Sequence, residues 1–147
     1  MKIIIFDTET TGGSNPILRE LAWMEVRGNQ ILETRHYQLG RHNRIRYKIP
    51  PVVQFAAIVS QADLLVGHNV KYDIEQVNQE LRRLKKKPLK PKVWTLDTMK
   101  EPKIMEYVGL HTDFNYEYKY PSLDELHTRL FGVKPVGRLA MDGKHTA

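Results

Sequence analysis

The sequence contains no cysteine. Disulfide bridges and thiolate zinc sites are therefore excluded, and a reducing cytoplasm is the expected compartment. It also lacks any apolar run approaching the roughly 20 residues that a membrane-spanning helix needs, so no membrane partner is expected. The opening segment Met1-Lys2-Ile3-Ile4-Ile5-Phe6 is too short for a secretion signal before it meets Asp7 and Glu9. Internal repeats and low-complexity tracts are missing, and the 9 Gly and 8 Pro are scattered rather than gathered into a linker. The 147 residues read as a single domain, 1–147, long enough to bury a hydrophobic core.

Acidic charge is in short supply: 17 Asp and Glu stand against 23 Lys and Arg, for a net charge of +6. The imbalance is local. From Leu81 to Lys103 there are nine basic residues and only two acids, Asp97 and Glu101, a balance of +7 that leaves −1 for the rest of the chain. Such a patch suits a polyanion-binding surface, or equally a solvated helix end followed by a basic loop. A second basic run, Arg41 to Lys48, falls in a loop where contact with phosphates and plain solvent exposure are both open.

The apolar pattern indicates a mixed α/β chain. Ile3 to Phe6 is a continuous, β-branched run, as a buried central strand requires. Strands are expected at Glu20–Val26 and Gln30–Gln38, turning at Gly28-Asn29 as a hairpin. Pro50-Pro51 opens a short helix over Val52–Gln61, and Leu64–Gly67 is a short buried strand. Ile74, Val77, Leu81 and Leu84 recur at steps of three or four, which predicts a helix over Tyr72–Leu84. A strand at Val93–Leu96, a helix at Met99–Tyr107, a loop from His111 to Tyr120 and a Ser122-capped helix follow, with a last helix starting near Ala140. This order implies a mixed sheet with helices on its faces. Trp23 and Trp94 fall in strands, where core packing is the expected role ahead of base stacking. The alternating aromatics Phe114, Tyr116, Tyr118 and Tyr120 could stack unpaired bases or wedge their loop onto the body.

Four acids can converge in this layout: Asp7, Glu9, Asp73 and Asp142. Asp7 and Glu9 lie two apart at the end of the first strand and share one side of it. Burying two carboxylates beside Ile3, Ile4 and Ile5 is costly without a compensating cation. Asp73 opens a helix directly after a strand, an edge where α/β sheets collect functional groups. All-oxygen ligands point to a hard ion, Mg²⁺ or Mn²⁺. Two such ions roughly 3.5–4 Å apart can stabilise both oxygens of an in-line phosphodiester displacement. The competing reading is that these are ordinary surface acids.

The residues around those acids carry a resemblance. Phe6-Asp7-Thr8-Glu9-Thr10-Thr11-Gly12 resembles the first motif of the DEDD 3′→5′ exonucleases, the DnaQ-like branch of the ribonuclease H-like fold. Val66-Gly67-His68-Asn69-Val70-Lys71-Tyr72-Asp73 resembles the second motif. Leu96-Asp97-Thr98 and Pro121-Ser122-Leu123-Asp124-Glu125-Leu126 are similar to segments before the third. The resemblance implies a mixed, five-stranded sheet flanked by helices and two-metal removal of nucleotides from single-stranded DNA or RNA 3′ ends, with a polymerase or repair protein as the partner class. It implies that Asp7 bridges both ions, that Glu9 and Asp73 complete the shell, and that Asp142 holds the ion carrying the attacking water. Thr10 would lie at the terminal nucleotide. His68 and Asn69 would belong to the substrate side, ordering the second-motif turn rather than binding metal.

The third motif departs from the family. The histidine branch (DEDDh) has its general base five residues before the last Asp, and here that position is Gly137. The tyrosine branch has its Tyr four before, and here that position is Arg138. A positioned base is worth about 10²–10⁴ in rate. The expectation is therefore a slow or impaired exonuclease, or a catalytically inactive nuclease-fold module that binds nucleic-acid ends. His145, three residues past Asp142, is a weak substitute for the base.

Overall fold

The computed structural model describes residues 1–39, 47–89, 94–112 and 117–135. In chain order the elements are β1 (Lys2–Thr10), β2 (Leu18–Arg27), β3 (Gln30–Gln38), α1 (Pro51–Val59), β4 (Leu64–Gly67), α2 (Val70–Arg83), β5 (Trp94–Asp97), α3 (Pro102–Val108) and α4 (Leu123–Phe131). The sheet runs β3-β2-β1-β4-β5. β1 is antiparallel to β2 and parallel to β4, and β2 is antiparallel to β3. This is the mixed five-stranded α/β arrangement, with helices beside the sheet, that the sequence leads one to expect. Among the described residues no helix is long and apolar enough to cross a membrane. The chain divides into two compact units, Met1–Leu96 and Asp97–Ala147.

In the first unit, the alternation along β1 sorts its side chains onto two faces. Ile4, Phe6 and Thr8 are buried, whereas Ile5, between the first two, is 41% exposed. The buried face packs with Leu21 and Trp23 of β2, with Val52, Phe55 and Val59 of α1, and with Val70, Val77 and Leu81 of α2. Phe55 anchors this layer, its ring centroid 5.0 Å from that of Phe6 and 5.4 Å from that of Trp23. Burying one such side chain stabilises the fold by about 1.5–3 kcal/mol. Gly67 ends β4 where a side chain would be crowded, since a Cβ there would sit 3.1 Å from Val70 and 3.3 Å from the Phe6 carbonyl oxygen.

Several boundaries differ from those the sequence predicts. β1 carries Asp7 and Glu9 toward its end, as expected, and runs on to Thr10, because β2 pairs with it along that whole length. α2 begins at Val70 rather than Tyr72. Asn69 takes the left-handed conformation, φ 74° and ψ 54°, and turns the chain from β4 directly into the helix. α3 begins at Pro102, whose ring presets the first helical position, and the Glu101 side chain accepts a hydrogen bond from the Lys103 N–H at 3.3 Å. Trp23 is a core residue as expected, but Trp94 is not: on the edge strand β5 it is 81% exposed.

In the second unit, Ser122 and Glu125 form a reciprocal capping box that starts α4, and Gly132, at φ 74°, closes it. The Arg129 guanidinium donates to the Tyr107 carbonyl at 2.9 Å and lies 4.3 Å from that ring's centroid, joining α4 to α3. The segment expected as a loop carries an antiparallel bridge between His111 and Tyr118, whose rings stack at 4.8 Å.

Candidate carboxylate site on the central strand

Asp7 and Glu9 lie near the carboxyl end of β1, on the face opposite Phe6 and Thr8, since the pairing register with β2 stays regular up to Glu9. Asp7 stands opposite Ala22 and Glu9 opposite Glu20. Residues directly across an antiparallel pair share a face, so a third carboxylate, Glu20, joins the two that the sequence singled out. Like charges so placed are destabilising. His36 of β3 stands next to Glu20, its Nε2 3.8 Å from Glu20 Oε1. Burial pushes the Asp7 carboxyl above its ordinary 3.8; a backbone hydrogen bond at Thr8 and the charge of His68 pull it back, and Glu20 pushes it up further.

Asp73 has a different setting. It sits in the first turn of α2, 4% exposed, on the helix that covers the Ile4–Phe6–Thr8 face. Its Oδ1 accepts a hydrogen bond from the Thr8 hydroxyl at 2.5 Å. Thr8 is therefore the residue that ties the second motif to the first. The alternation signal could have found it: a hydroxyl on the buried side of a central strand needs a partner, and the helix packed on that side must supply one.

Thr10, the candidate contact for a terminal nucleotide, has its hydroxyl 3.0 Å from the Tyr72 hydroxyl, at the start of α2. The loop behind it is closed at its neck by Thr11 and Ile17. The Thr11 N–H donates to the Ile17 carbonyl at 3.0 Å, and the Ile17 N–H donates to the Thr11 hydroxyl at 3.0 Å. Gly12 and Gly13, at φ 75° and 80°, make the turn that an L side chain would strain. His68 and Asn69 stand in the β4–α2 turn, and the left-handed backbone of Asn69 is what shapes it.

Asp142, Gly137, Arg138 and His145 lie outside the described residues, as do Phe114 and Tyr116 of the aromatic run. Among the described residues no group of three or more His, Asp or Glu side chains is arranged to hold a metal ion. Asp7 and Glu9 fit a hard cation in donor type, and a positive charge beside them would offset both the burial of Asp7 and the repulsion from Glu20. Two of the four expected acids thus share one strand face, while the Asp73 carboxyl is engaged by Thr8.

No protein-family model matches this sequence, and no curated protein matches it. A solved structure does: the family B DNA polymerase from the hyperthermophilic archaeon Pyrobaculum calidifontis aligns at a TM-score of 0.59 and 14% identity. The alignment covers 90% of this chain and 18% of the polymerase chain. The chain therefore shares its fold with a segment of a DNA polymerase about a fifth of that protein's length.

Proposed function

We propose that this chain is a metal-dependent 3′→5′ exonuclease domain that removes nucleotides from single-stranded DNA or RNA ends. The carrying observation is the pair Asp7 and Glu9, side by side near the carboxyl end of the central strand on the face that α1 and α2 leave uncovered. The fold shared with part of a DNA polymerase supports work on nucleic acid. Asp7 and Glu9 would hold Mg²⁺ or Mn²⁺, with Asp142 and Asp73 completing the set. Bound there, the ions supply charge stabilisation for an in-line displacement and activation of the attacking water. The protein's own part is placement. Thr8 fixes the Asp73 carboxyl, and the Thr10–Tyr72 hydroxyl pair offers a polar contact for a terminal sugar. Gly137 supplies no base, so turnover is slow.

The test is release of labelled 3′ nucleotides with Mg²⁺ or Mn²⁺ against an Asp7→Ala control. Equal rates for the two proteins would remove the enzyme claim. Gly137→His should raise the rate by about 10²–10⁴, and no change would mean the third motif is misassigned. Gly137 favours a second reading, a nuclease-fold module that grips nucleic-acid ends without turnover. It predicts salt-sensitive binding with no product.

A further inference from the structure

The far end of α2 carries the densest positive charge in the described residues. Arg83 is paired with Glu80 at 2.6 Å. Arg82, Lys85, Lys86 and Lys87 are exposed and form no ion pair among the described residues. Cations at a helix carboxyl end complement the helix dipole, but that effect fades within the last turn. Lys86 and Lys87 lie beyond it.

The turn that holds these lysines is built. The Lys86 N–H donates to the Leu81 carbonyl at 2.8 Å and the Lys85 N–H to the Arg82 carbonyl at 2.9 Å, a Schellman closure. Its left-handed position, φ 58°, is occupied by Lys85 where glycine is the low-cost choice. The chain then returns to the helix, the Leu89 N–H donating to Asn78 Oδ1 at 2.8 Å, with Leu84 and Leu89 packed against the core. The apolar side chains of this turn face inward and the charges face water. A surface that inserts into lipid would present the reverse.

Trp94 begins the next strand, 81% exposed at the sheet edge. The chain from Leu89 can carry it no further than about 18 Å. A large exposed indole a short span of chain from exposed cations is the pairing that single-stranded nucleic acid uses, phosphates on the charges and a base on the ring.

From this we infer that Arg82, Lys85, Lys86, Lys87 and Trp94 form a second nucleic-acid contact, one that holds an unpaired strand. Along α2, Lys85 is about 18 Å from Asp73, so this contact does not overlap the carboxylate site and does not depend on that site's chemistry.

The experiment is titration of the full chain with a single-stranded oligothymidylate in EDTA, read by tryptophan fluorescence, with a matched duplex and phosphatidylserine vesicles as comparison arms. Trp23, 4% exposed, serves as the silent background. The single strand should quench Trp94, with a log–log salt slope of about −3 for four phosphate contacts. The triple variant Lys85→Gln, Lys86→Gln, Lys87→Gln should reduce that slope by about 2, and the triple Lys→Arg variant should restore it. Trp94→Phe should abolish the quenching and weaken binding about tenfold at unchanged slope. Circular dichroism confirms that each variant is folded. The inference is overturned by absent quenching, by a slope indifferent to the three lysines, by failure of the Arg variant to restore it, or by duplex or vesicles binding as tightly as the single strand. The titration is run without divalent metal and reads no turnover, so loss of the exonuclease reading leaves this result standing.

Discussion

The two faces of β1 are made of neighbouring residues and do opposite work. On one, Ile4, Phe6 and Thr8 disappear under α1 and α2, and even the polar member is buried and hydrogen bonded. On the other, Asp7 and Glu9 stand across from Ala22 and Glu20, and burial and the Glu20 charge both raise the cost of an ionised Asp7. The difference teaches that stability and chemistry are divided by the two-residue period of a single strand. A face that only had to pack would not place two glutamates opposite one another.

That division can be broken where it is largest. Ile4→Ala should cost about 2–5 kcal/mol in urea unfolding, because Ile4 is wholly buried. Ile5→Ala, one residue on, should cost less than about 1 kcal/mol. Similar costs for the two would mean that the second face is covered as well.

A smaller effect tests the polar contact on the buried face. Thr8→Val keeps the shape but withdraws the hydroxyl that Asp73 accepts from, and should cost about 1–3 kcal/mol. Thr8→Ser should recover most of it. If Val is neutral in urea unfolding, the bond does not contribute to folding.

The smallest effect sharpens the other face. The folded Asp7 carboxyl titrates above 3.8 because burial penalises its charged form. Well below that pH both folded and unfolded chains are protonated and Asp7 is neutral to stability. As pH rises past 3.8 the unfolded chain ionises first, so stability falls until the raised folded value is passed and stays lower beyond it. Asp7→Asn should therefore raise Tm at pH 7 and leave it unchanged at about pH 3. A lower Tm at pH 7 would mean that the ionised carboxylate stabilises the apo fold.

Much of this was legible in the residues. Gln30–Gln38 and Leu64–Gly67 have the strand bounds that alternation and flanking turn residues predict. The Val77 and Leu81 face of α2 is the buried one, with Ile74 and Leu84 packed at its margin. The misreading of Trp94 has a physical cause. Strand propensity and aromatic bulk do not reveal whether a strand is central or at an edge, and that alone sets the exposure of a tryptophan. Glu20 and Thr8 were missed for a related reason: each matters through a partner set by pairing register or helix packing.

The sequence by itself determined the element types, the mixed α/β class, the adjacency of Asp7 and Glu9 and the concentration of charge after Leu81, because all of these depend on local periodicity and composition. Only the tertiary structure decided that Glu9 meets Glu20, that Thr8 meets Asp73 across 65 positions of chain, and that Trp94 stands in water. Contacts between distant segments follow from which face packs on which. Side-chain alternation narrows that choice to two, and only burial of the whole core selects between them.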